Sequence, residues 1–185
     1  MTIPNLLTIL RVLLTPLLVI LLLEKRLSEA LVVFIVAGVT DGLDGLIARL
    51  YKQKSRLGAF LDPLADKLLL ATTYVLLAYL NLVPTWLTVI VLSRDVLIVL
   101  GVFVLFMQDL PFEIKPSLAS KLTTCTQIIT AIVTMGTALA SPHPLLKSIL
   151  FQATAAFTII SWGQYMVRGV RIIQAAGNED KDSRQ

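Results

Sequence analysis

Residues 28–50 read SEALVVFIVAGVTDGLDGLIARL, a run long enough and apolar enough to cross a bilayer that nevertheless carries Asp41 and Asp44. The next run, 57–80, reads LGAFLDPLADKLLLATTYVLLAYL and carries Asp62 and Asp66. An isolated charge at the bilayer centre costs about 2.5–3.5 kcal/mol on insertion scales, so four uncompensated carboxylates would cost roughly 10 kcal/mol. Something has to offset them, and their spacing says what. Asp41 and Asp44 are three residues apart and Asp62 and Asp66 four apart, so each pair shares one face of a helix. Two antiparallel helices joined by a short link can turn both faces toward one another. Such a set of oxygen ligands suits a hard divalent cation, Mg²⁺ or Mn²⁺, which binds through carboxylates and substrate phosphates. Gly42, Gly45 and Gly58 allow close approach of a ligand or backbone, and Arg49 offers a planar fork for phosphate. The alternative, a purely structural ionic network, is disfavoured by two spaced pairs of acids with intervening glycines.

The rest of the chain fits the same setting. Of 185 residues, 56% are hydrophobic and 15% charged, with a mean hydropathy of +0.83, well above the apolar content of soluble domains. Six apolar runs can be drawn, at 5–23, 28–50, 57–80, 84–107, 117–140 and 145–167, separated by short polar or proline-bearing links. The expected fold is an all-α integral membrane protein of six transmembrane helices, one domain over 1–176, with a polar, frayed tail over 177–185. The N-terminal run is expected to be part of the structure rather than a signal peptide. Arg11 interrupts it and no small-residue cleavage site follows 17–23.

The net charge of +4 does not mark a nucleic-acid binder, because the basic residues cluster at the ends of apolar runs. Arg49, Lys52, Lys54 and Arg56 follow the second run without an acid among them, and Arg168 and Arg171 follow the last. The opposite links hold Glu24, Lys25, Arg26 and Glu29, then Asn81, then His143 and Lys147. This asymmetry places both termini and the aspartate-bearing ends on the cytoplasmic side. Cys125 is the only cysteine, so there is no intrachain disulfide. His143, between two prolines, reads as a turn residue, and Trp86, Trp162 and the tyrosines as interfacial anchors or packing.

The string Asp41-x-x-Asp44-Gly45-x-x-Ala48-Arg49, eight residues, then Gly58-x-x-x-Asp62-x-x-x-Asp66 resembles the signature of CDP-alcohol phosphotransferases, with each residue type at its spacing. The resemblance extends to Ile3-Pro4-Asn5-Leu6-Leu7-Thr8-x-x-Arg11, to Asp62–Lys67, to Ser93-Arg94-Asp95, and to Ser120-Lys121 with Thr123, Thr124 and Gln127. These look like the branch of cardiolipin synthases and phosphatidylglycerophosphate synthases. The resemblance implies that Asp41, Asp44 and Asp62 hold two divalent metals, with Asp66 near the second and acting as the base. It assigns Gly45, Arg49, Ser55 and Gly58, with Asn5 and Thr8 of the first run, to CDP-diacylglycerol. It also implies a homodimer in a bacterial inner membrane, with a polar cavity open to the cytoplasm.

Arg94 and Lys121 are expected to bind an acceptor phosphate, an ion pair of Arg94 with Asp95 being the alternative. Relatives that use glycerol 3-phosphate carry a second arginine where this chain has Val102, and Gly-Lys where it has Ser120-Lys121. These departures favour phosphatidylglycerol as acceptor, with glycerol 3-phosphate as the alternative if Lys115 or another cation replaces the missing arginine. A member of a different class, an ion-coupled carrier, would also have buried acids and six spans but no need of the aspartate-glycine-arginine signature.

Overall fold

Backbone N–H and C=O groups have no water to bond in an apolar medium, so apolar runs of this length close their hydrogen bonds internally as helices. Each of the six runs does so in the computed structural model, with ends within two residues of those expected except at the last: α1 (Ile3–Leu23), α2 (Leu27–Tyr51), α3 (Arg56–Tyr79), α4 (Thr85–Met107), α5 (Leu118–Leu139) and α6 (Pro144–Asp182). The structure describes residues 3–51, 56–107, 118–139 and 144–182, and side chains within 10–40, 67–101, 118–139 and 144–167. The helix α6 passes its apolar end near Val167 and stays helical into the polar segment that was expected to fray. Two described helical stretches, Leu118–Leu139 and Pro144–Val167, are long and apolar enough to cross a membrane, and shorter apolar stretches cover Leu10–Leu23, Leu27–Thr40 and Lys67–Tyr79.

The helices pack as a closed circuit. In order around it come α1, α2, α5, α6, α4 and α3, each against the next, with α3 also meeting α5 across the middle. Chain order and spatial order therefore differ, and α1 lies against both aspartate-bearing helices.

Side-chain polarity is inverted relative to a water-soluble bundle. The buried set includes Arg11, Thr73, Thr88, Arg94, Asp95, Thr123, Gln127, Thr130, Thr134, Thr154, Thr158 and Ser161, whereas Leu13, Val32, Tyr79, Leu118, Leu145 and Ile149 are exposed. Buried hydroxyls are satisfied locally: Thr73 Oγ1 donates to the Leu69 carbonyl at 2.7 Å and Thr158 Oγ1 to that of Thr154 at 2.6 Å. Others cross between helices. Thr130 Oγ1 and Thr154 Oγ1 are 2.8 Å apart between α5 and α6, Thr123 Oγ1 donates to the Phe157 carbonyl at 2.9 Å, and Tyr74 of α3 donates to the Gln127 carbonyl of α5 at 3.0 Å. The apolar core, with Leu18, Leu22, Phe34, Tyr74, Leu77, Leu87 and Met135, occupies the part of the bundle nearer the α1–α2 and α3–α4 turns.

Both turns end their helices in the same way. Lys25 and Asn81 adopt positive φ, 59° and 57°. The Arg26 amide donates back to Leu21 and the Leu82 amide to Leu77, each at 2.9 Å, which satisfies last-turn carbonyls. Asparagine tolerates this conformation and lysine does so at a cost. Lys25→Gly is therefore expected to stabilise the detergent-solubilised protein by about 1 kcal/mol, read as a higher unfolding midpoint; an unchanged or lower midpoint would show that the turn gains nothing from relief at this position. Beside it, Arg26 bonds Glu29 with Nε–Oε1 at 2.9 Å and reaches Glu24 at 3.3 Å. Glu29 first and Glu24 second hold Arg26 above its ordinary pKa, which leaves its charge unchanged near neutral pH.

Candidate active site

The candidate site residues fall on helices that meet. Asp41, Asp44, Gly45 and Arg49 lie in the C-terminal part of α2, Gly58, Asp62 and Asp66 in the N-terminal part of α3, and Asn5 and Thr8 in the first turns of α1. Their side chains lie outside the described residues, as does Ser55 altogether. The backbone keeps the spacing: both acid pairs sit on continuous helix, three and four residues apart, so each pair shares a helix face. With α1 packed against both α2 and α3, the three helices that bear the candidate nucleotide and metal residues are neighbours. The donor set, four carboxylates within a hydrophobic bundle, has the chemistry of a site for hard divalent cations. Among the described residues no group of three or more potential metal ligands occurs.

Arg11 received no role from its position in the sequence, yet it is 1% exposed. The α1–α2 hairpin turns at Lys25, so Arg11, 14 residues before it, comes level with Val39, 14 after it, one residue short of the stretch that begins at Thr40 and Asp41. Arg11 is thus a buried guanidinium on the helix that packs against both acid-bearing helices.

On the other side of α3 the described residues form a polar network. Arg94, 3% exposed on α4, donates from Nη1 to Asp95 Oδ1 at 2.7 Å and from Nη2 to Ser120 Oγ of α5 at 2.7 Å and Ser161 Oγ of α6 at 3.0 Å. Its guanidinium carbon lies 5.6 Å from the centre of the Tyr165 ring, within cation–π range. Lys67 Nζ of α3 donates to the same Asp95 Oδ1 at 2.6 Å. Arg94 thus has the Asp95 partner that the sequence offers as an alternative, and also two serines and a tyrosine. Lys121, the other residue expected at the acceptor, is exposed on the first turns of α5, next to Ser120. Ser161 and Tyr165 are partners of Arg94 that the sequence did not indicate. A serine 67 residues from its arginine has no local signal, whereas Asp95 adjoins Arg94 and is the ion-pair partner that the sequence offered.

Comparison with known proteins places this arrangement. The family model described as CDP-alcohol phosphatidyltransferase matches residues 1–160. The chain belongs to the CDP-alcohol phosphatidyltransferase family. The matched region includes the whole aspartate signature and five of the six helices in full. Among its curated relatives, a rat protein named cardiolipin synthase (CMP-forming) is 38% identical over 94% of this chain and 63% of its own length, and the human protein of that name is 37% identical over the same shares. The chain thus spans 63% of the length of these two relatives. A CDP-diacylglycerol–glycerol-3-phosphate 3-phosphatidyltransferase of Aquifex aeolicus is 29% identical over 94% of this chain and 98% of its own. This member of the CDP-alcohol phosphatidyltransferase family therefore resembles relatives with two different names, cardiolipin synthase and glycerol-3-phosphate phosphatidyltransferase.

Proposed function

We propose that the protein transfers the phosphatidyl group of CDP-diacylglycerol to a hydroxyl acceptor and releases CMP, in a reaction that requires two divalent metals, Mg²⁺ or Mn²⁺. The observation that carries this reading is the family match over residues 1–160, which encloses four aspartates on two helices packed against the same third helix. Asp41, Asp44, Asp62 and Asp66 would hold the metals, whose chemistry is to neutralise pyrophosphate charge. Gly45, Arg49, Ser55 and Gly58, with Asn5 and Thr8, bind and orient the CDP end. The acceptor hydroxyl oxygen attacks the lipid-side phosphorus as the pyrophosphate bond breaks, CMP leaves with the bridging oxygen, and Asp66 takes the hydroxyl proton. The protein's task is position and charge, as in phosphoryl transfer generally.

The acceptor assigned is phosphatidylglycerol. Similarity to the proteins named cardiolipin synthase supports it, as does valine at position 102. A phosphodiester carries one charge and needs fewer cations than a phosphomonoester, and Lys121, with Arg94 bordering it through Ser120, supplies them. The similarity to a glycerol-3-phosphate enzyme keeps that acceptor as the second reading. The exposed apolar surface of the bundle supports six membrane crossings, and the basic residues at 49–56 and at Arg168 and Arg171 support a site facing the cytoplasm; a bacterial inner membrane and a homodimer are assigned from the family resemblance alone.

Purified protein incubated with CDP-diacylglycerol and, separately, phosphatidylglycerol or glycerol 3-phosphate is expected to release CMP and to give cardiolipin with the first. Phosphatidylglycerophosphate as the sole product would move the assignment to the second acceptor. No CMP with either, together with substrate-linked ion flux, would overturn the enzyme in favour of a carrier.

A further inference from the structure

A carboxylate oxygen of α4 holds α3 at the residue that follows the proposed base. Asp95 Oδ1 accepts from Lys67 Nζ on α3 and from Arg94 Nη1, and Arg94 Nη2 continues to Ser120 on α5 and Ser161 on α6. Asp95 is nearly buried, with 9% of its side chain exposed, and Lys67 is partly so at 32%. A buried ion pair is seldom a gain in stability over apolar side chains of the same size. What this one supplies is geometry.

The α3–α4 hairpin turns at Leu82, 15 residues after Lys67 and 13 before Asp95, so the pair closes the hairpin about 20 Å from its turn. Nearer the turn, Thr88 Oγ1 of α4 donates to the Tyr74 carbonyl of α3 at 3.2 Å. Among the described residues, the Lys67–Asp95 bond is the tie between α3 and α4 at the end of α3 that carries the acids. Lys67 directly follows Asp66, and successive helical residues differ by a fixed rotation and a rise of about 1.5 Å. Whatever sets the azimuth of Lys67 sets that of Asp66.

We infer that Asp95 is a positioning residue for the transfer step: by holding Lys67 and Arg94 on one oxygen it fixes the rotation and depth of the α3 turn that carries Asp66. This rests on the role proposed above for Asp66. Asp95→Asn keeps the size and one acceptor oxygen but removes the charge that draws both cations. In this variant kcat per donor-binding site is expected to fall on the order of 10- to 100-fold, the range that a misplacement of about 1 Å produces, with CDP-diacylglycerol affinity kept within about twofold. A merely structural residue would lower the number of donor-binding sites and the thermal midpoint and leave kcat per site unchanged.

A second measurement does not depend on activity. With spin labels at Leu68 on α3 and Ile160 on α6, both exposed, in a Cys125→Ser background, Asp95→Asn is expected to broaden the interlabel distance distribution. An unchanged distribution, or kcat per site within about twofold of wild type, would overturn the inference. If the wild-type protein itself releases no CMP, the proposed reaction fails and the distance measurement alone decides the role of Asp95.

Discussion

Replacing Asp41, Asp44 or Asp62 by asparagine, one at a time, is expected to lower turnover of CDP-diacylglycerol by at least about 10²–10³-fold, the scale on which preorganised electrostatic groups act in transition states. Each substitution removes one full charge from a donor set placed on two helices that share α1 as neighbour. The amide keeps the side chain's shape, so the loss should not be one of folding. It should instead come with a weaker response to added Mg²⁺ or Mn²⁺, because hard cations depend on ligand charge for affinity. Turnover of the wild-type protein should vanish on chelation and return on adding metal. Full activity in a chelator-treated preparation, or asparagine variants with near-normal turnover and unchanged metal response, would refute the assignment of these residues.

Asp66→Asn is expected to separate binding from chemistry. If Asp66 chiefly accepts the proton of the attacking hydroxyl, the variant should bind CDP-diacylglycerol with metal much as wild type does while single-turnover CMP release falls by about 10²–10⁴-fold, the usual worth of a positioned general base. The amide can still turn an oxygen toward a metal, but it has lost its basicity. Arg49→Ala supplies the contrast: it removes a phosphate fork and should damage donor binding first. Calorimetric donor binding beside single-turnover release distinguishes the two. Loss of donor binding in Asp66→Asn as complete as in Asp44→Asn, or retention of near-normal release, would remove Asp66 from the role of base.

The elements were legible in the sequence because the two signals that carried them are local. Apolar runs of bilayer length, punctuated by Asn81-Leu82-Val83-Pro84 or by the basic stretch at 49–56, define five of six helices to within two residues. The acid pairs were legible because three- and four-residue spacings are read on a helix without knowing its neighbours. What depends on neighbours was not. The last helix runs past its apolar end to Asp182, since helix propensity and hydrophobic length are different properties. Lys25 in a left-handed cap has no residue-type signal of the kind that Asn81 gives. Arg11 looked like an interruption in an apolar run, and only the packing of α1 shows that it is buried. The serine partners of Arg94 lie 26 and 67 residues away, and their meeting depends on α5 and α6 both flanking the same face of the bundle.

The circular order of the helices bears on how the chain is made. As helices leave the ribosome in turn, α1, α2 and α3 can associate at once and α4 can join α3, but α5 settles against α2 on the far flank. The gap between α4 and α5 is filled by α6, which comes last and packs against both. Until it arrives, Thr123, Thr130 and Arg94 lack their later partners Phe157, Thr154 and Ser161. In the six-crossing arrangement proposed above, the chain before α6 would present hydroxyls and a guanidinium on an open side toward lipid or the insertion machinery. The closing helix is the step at which a membrane chaperone or a quality-control protease would distinguish a finished chain from an abandoned one.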